Sequence, residues 1–163
     1  MAFAFVRTAT LSGEYVWVSP TDPAFDPTAE GFSQEALAEA LEGQHHERIS
    51  AWLRPNEKPT RWKLKHIGDA GHRYLWDQHQ RLSPKATVSA VVLRDACSLG
   101  LVGVDDLTGK DGRPFKITHR PHPECGLSAV SHEVMEELAA LDGGDLVSLI
   151  GLHVMFGRAP SGN

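Results

Sequence analysis

The chain has 163 residues, of which 41% are hydrophobic and 23% charged, and its formal net charge is −5 with histidine neutral. A chain of this length can bury about 70% of its unfolded surface in one domain, and the negative balance argues against a general nucleic-acid binder. Two cysteines are too few for the disulfide framework of a small secreted protein. Neither a signal peptide nor an apolar stretch of membrane-spanning length is recognisable, so we expect a protein of the reducing cytoplasm.

Residues 1–66 are predicted to form a small β-rich part. The segment "EYVWVS" alternates with a period of two and is rich in β-forming residues, which is typical of a strand. "TRWKLKHI" alternates in the same way, with Trp62 and Leu64 on one face and three basic side chains on the other. This pattern predicts a half-buried strand with a basic outer face.

An inserted helix is predicted within this part, over about residues 34–52. It follows the acidic, proline-rich segment "SPTDPAFDPTAEG", which is a loop because proline is disfavoured in helix interiors and central strands. Ser33 can cap the N-terminus of the helix, and a stripe of alanine and leucine follows it. Gly43 is expected to weaken its middle.

Residues 67–157 are predicted to be mainly helical. "GHRYLWDQHQRL" is compatible with a helix, and Ser83 with the proline after it is a favourable start for a helix over residues 84–102. Ser131 is expected to cap a short helix, and a last helix runs from Leu146 to about Phe156.

The segment "GKDGRP" interrupts this helical part. It matches neither a phosphate-binding loop nor a calcium loop, whereas Asp111 followed by Gly112 favours a hairpin-like turn with a positive φ. We expect the turn to reverse the chain so that the last two helices pack on the helix of residues 84–102. With residues 158–163 as a tail, the whole predicts an α+β fold: a small β-rich N-terminal part followed by a mainly helical C-terminal half.

The segment "HRPHPEC" is the sharpest candidate for chemistry. His119, His122, Cys125 and His132 carry the nitrogen and sulfur ligands that a tetrahedral zinc site needs. The spacing lacks the paired C-x₂-C halves of zinc modules, so we expect a polar loop without metal or cofactor and keep zinc binding as an alternative. No signature of a cysteine hydrolase surrounds Cys125 or Cys97, and Cys97 lies on an apolar stripe where cysteine usually acts as a small hydrophobe.

The last predicted helix is apolar on nearly every side. Only Ser148 and His153 are strongly polar within it. A helix of this composition is buried, either in the centre of the core or against a partner.

Several segments resemble the tail assembly chaperones of long-tailed bacteriophages. "DACSLGLVGVDDLTGKDGRPFKI" is similar to that family's "LGLxGwxxf" helix end followed by its "dadGkpxpF" turn. The matching positions are Leu99, Gly100, Leu101, Gly103, Val104, Leu107, Asp111, Gly112, Pro114 and Phe115. "SHEVMEELAALDGGDLVSLIGLHV" resembles the family's C-terminal helices, and "PTRWKLKHIGDAGHRYLWDQ" resembles its strand and helix. The chain departs from the family at Val104, where an aromatic residue is usual.

The resemblance implies a protein that has no catalytic role. Such chaperones bind the tape-measure protein in the host cytoplasm, keep it soluble and recruit tail-tube subunits; self-association stays open, and no nucleic acid or membrane is expected as a partner. An apolar groove between the C-terminal helices is expected to bind the partner helix. Its side chains would be Val134, Leu138, Leu141, Leu146, Leu149, Ile150 and Met155. The alternatives are a structural virion protein of the tail or head–tail junction, and a zinc-binding protein that uses residues 119–132.

Overall fold

The computed structural model describes residues 13–82, 88–109, 111–141 and 144–157. These residues form an α+β fold, as the sequence predicts. In chain order the elements are β1 (Glu14–Trp17), α1 (Gln34–Glu42), α2 (His46–Ala51), β2 (Arg61–Lys65), α3 (Gly68–Leu82), α4 (Ala90–Gly100), β3 (Leu101–Asp105), β4 (His119–Pro121), β5 (Ser128–Val130), α5 (His132–Leu141) and α6 (Asp145–Phe156). The predicted helix start at Ser83 and the predicted tail of residues 158–163 lie outside the described residues.

The main sheet is antiparallel, in the order β1-β2-β3. The predicted alternation of β2 is confirmed, because Trp62 and Leu64 are buried and Lys63 is exposed. The prediction that residues 101 and 102 belong to a helix is wrong. Leu101 is already extended and pairs with Leu64, so α4 ends at Gly100 and β3 begins without a loop. The sheet therefore takes β1 and β2 from residues 1–66 and β3 from residues 67–157, so it joins the two predicted parts.

The main core lies between this sheet and the helices of the C-terminal half. Its centre is the contact between α4 and α6, as predicted; α5, which was expected to pack on α4 as well, makes its main helix contact with α6. A Cβ on Gly151 of α6 would lie 2.8 Å from the carbonyl carbon of Leu93 and closer still to the carbonyl oxygen. Only glycine allows the two helix backbones to approach so closely.

A second hydrophobic cluster lies beside the main core, under α1 and α2. It consists of Val18, Phe25, Leu37, Ala40, Ile49 and Trp52. Ser33 caps α1, as predicted, since its hydroxyl accepts a hydrogen bond from the amide of residue 36. The single inserted helix predicted for this region is instead two helices, because the chain turns after Gly43 and Gln44 takes a positive φ of 55°.

The predicted turn at residues 111–112 is confirmed. Gly112 has a φ of 76°, and Thr108 and Pro114 form a short bridge across the turn. The amide of Phe115 also donates to the carbonyl of Leu107. The turn connects β3 to the hairpin β4–β5, which in turn leads into α5.

Within the described residues, no single helix is long and apolar enough to cross a membrane. Helices α5 and α6, taken together across a bend of 115°, reach that length and composition. Helix α6 is packed on α4, with Val147, Ile150, Gly151, Val154 and Met155 buried.

Candidate functional site

The apolar residues expected to bind a partner belong mainly to the core of this chain. Four of them are buried: Val134, Leu138, Ile150 and Met155. Two are half-buried and pack against the same core: Leu146 and Leu149. Leu141 alone among the seven is exposed. The buried four pack inside the chain itself, so they are not accessible to a partner in this conformation.

An open groove lies instead between α4, the hairpin β4–β5 and the start of α5. Its volume is about 420 Å³. The apolar side chains that line it are Val91, Pro121, Pro123, Ala129, Val130 and Met135. Val91 is 64% exposed, which is unusual for a valine in a helix that otherwise packs into the core. Pro121 and Pro123 are exposed as well, whereas Ala129, Val130 and Met135 are buried, so Val91 and the two prolines supply the apolar surface that a partner can reach.

Charged side chains stand at the rim of this groove. The Arg94 guanidinium lies 2.6 Å from Glu136, and the imidazole of His132 lies 3.6 Å from the same carboxylate. Arg120 on β4 lies 3.4 Å from Glu133. The hydrogen bond from Arg94 holds the pKa of Glu136 below its ordinary value. All of these pairs are largely exposed, so each contributes little to stability.

A hydrogen-bond network fixes one wall of the groove. The Tyr74 hydroxyl lies 2.9 Å from a carboxylate oxygen of Asp95 and 2.9 Å from one of Glu124. Gln78 reaches the same oxygen of Glu124 at 3.3 Å. Burial, then hydrogen bonding to the two carboxylates, raises the pKa of Tyr74, so the hydroxyl keeps the proton that it shares between them. The network ties the hairpin loop to α3 and α4.

His122 is held in one tautomer by the turn that it begins. Its Nδ1 accepts hydrogen bonds from the amides of Glu124 at 3.1 Å and Cys125 at 3.3 Å. Its Nε2 therefore carries the proton and lies 3.3 Å from Asp95. Both ring nitrogens are engaged, so neither is free to accept a proton from a neighbouring thiol.

The three histidines among the four candidate zinc ligands turn towards different partners. His119 bonds to the carbonyl of Leu101 at 2.8 Å, His122 faces Asp95, and His132 projects from α5 towards Glu136. In the described parts of the chain, no three His, Cys, Asp or Glu side chains are grouped so that they could hold a metal ion. The structure does not bring these four residues together as a ligand set.

The cysteines do not form a reactive pair. Both thiols are free. Cys97 is fully buried in α4, and burial raises the pKa of its thiol to about 12. A thiol that stays protonated at neutral pH is a poor nucleophile. Its position confirms the interpretation of Cys97 as a small core hydrophobe.

A second cluster, which the sequence does not reveal, joins α6 to β1. The ring centroid of His153 lies 5.4 Å from that of Trp17, on which it stacks, and 5.6 Å from that of Tyr15. Tyr15 also stacks on His66, with 4.8 Å between the ring centroids. Burial, and the nearby His66, lower the pKa of His153 to about 4. Burial and the charge of His72 lower the pKa of His66. Histidines from two separate segments meet here, which spacing along the chain could not indicate.

The sequence did not predict this groove, since the expected one lay between the C-terminal helices. The segment of residues 119–132 stands out for its histidines and cysteine, and the hairpin it forms does line the groove. Val91, Arg94 and Arg120 carry no sequence signal, because nothing local indicates that α4 and β4 face the same space. Their juxtaposition follows from the packing of the hairpin on α4.

Comparisons of the chain with protein-family models, with curated proteins and with solved structures found no match. What the protein does must therefore be inferred from its residues and their geometry. The groove combines accessible apolar surface with positioned polar groups, the combination typical of binding sites.

Proposed function

We propose that this protein is a tail assembly chaperone of a long-tailed bacteriophage, or a close relative of that family. It binds the tape-measure protein and tail-tube subunits in the host cytoplasm during tail morphogenesis and performs no catalysis. The observation that carries the proposal is the open, apolar groove between α4, the β4–β5 hairpin and α5. The resemblance of several segments to the family supplies the identity of the partners.

The physical requirements of such a chaperone fit a groove of this kind. A tape-measure helix that has no tube around it exposes apolar side chains and tends to aggregate. A chaperone must cover these side chains with contacts weak enough to be released as the tube assembles. An open groove with a solvent-exposed, charged rim can cover a few apolar side chains of the partner and leave its backbone in water. Contacts of this extent are weak enough to be released.

The polar groups near the groove support a binding role over a catalytic one. His122 uses both ring nitrogens to hold the hairpin turn and Asp95. Asp95 also accepts from Tyr74. These groups hold the wall of the groove in place, which is what a preorganised binding surface requires.

Co-expression with the partners tests the proposal. The tagged chain is expressed with the tape-measure protein of its phage and, separately, with the tail-tube protein. We expect both to co-purify, and we expect the tape-measure protein to remain soluble only when the chain is present. If neither protein is retained and the solubility of the tape-measure protein does not change, the chaperone proposal fails.

Mass spectrometry of purified phage particles distinguishes the alternative. A chaperone is shed as the tube polymerises, so the chain should be absent from mature particles. Its presence at a fixed stoichiometry would identify a structural component of the tail or of the head–tail junction.

A further inference from the structure

We draw no further inference here: the strongest candidate, the exposed apolar patch formed by Trp76 of α3 and Phe156 of α6, whose ring centroids lie 5.9 Å apart, carries nothing because no described feature of the chain shows what covers it.

Discussion

Acidification should destabilise this protein through His153. The ring lies between β1 and α6, with Trp17, Tyr15 and His66 around it and His72 beyond His66. Protonation would place a charge among these rings, next to a second histidine. The C-terminal end of α6 favours a cation, yet burial dominates and keeps the pKa of His153 low.

The size and sign of the effect follow from linkage. The pKa of His153 falls from an ordinary 6.5 to about 4 in the folded chain. Between these values the unfolded chain binds a proton that the folded chain does not, so the stabilising contribution is complete above pH 6.5 and is lost as the pH falls towards 4. Each pKa unit corresponds to about 1.36 kcal/mol, which gives about 3 kcal/mol in total.

Denaturant unfolding at several pH values between 7 and 4 measures this contribution. The variant His153→Phe retains an aromatic ring against Trp17 and Tyr15 but cannot titrate. The free energy of unfolding of the wild type, minus that of the variant, should decrease by about 3 kcal/mol between pH 7 and pH 4. His46→Gln, a change at an exposed histidine of α2, should follow the wild-type curve. If wild type and His153→Phe lose stability in parallel over this range, the assignment to His153 is refuted.

Three further substitutions or modifications test the packing. Gly151→Ala should lower the free energy of unfolding in urea by about 1–3 kcal/mol, because its Cβ meets the backbone of Leu93. The control Gly103→Ala, whose Cβ lies 3.8 Å from its nearest atom, should be nearly neutral. Equal effects of the two substitutions would contradict the close contact of α4 with α6. Asp22→Ala removes a carboxylate that accepts two backbone N–H groups at 2.9 Å and should lower the free energy of unfolding by about 1–3 kcal/mol; an unchanged midpoint would show that water replaces it. Cys97 should resist alkylation by iodoacetamide at neutral pH until the chain unfolds, which peptide mass spectrometry measures. Rapid labelling of this thiol in the native protein would disprove its burial.

The parts of the fold that could be predicted are those with a local cause. Alternation in β2, the cap at Ser33 and the turn at Gly112 each depend on a few neighbouring residues, and all three are present. The start of β3 could not be predicted. The apolar run around Leu101 suits a buried helix or a buried strand, and its pairing with Leu64, far away in sequence, decides between them.

The candidate site shows the same limit. The sequence predicts that apolar residues of α5 and α6 form a partner-binding groove. Their apolar pattern is the same whether a side chain is buried in the core of its own chain or against a partner. Ile150 and Leu138 belong to the first kind. The groove that is present depends on the docking of the hairpin against α4, where Asp95 meets His122 across 27 positions of sequence. No local pattern records such a meeting.

The two hydrophobic clusters differ in their connection to the rest of the molecule. Leu41 packs against both of them, and β1 ends at Trp17 of one cluster directly before Val18 of the other. The helical pair α1–α2 therefore packs on a hydrophobic cluster that is largely separate from the main core. Loosening of this pair would leave the contact between α4 and α6, and with it the main core, in place.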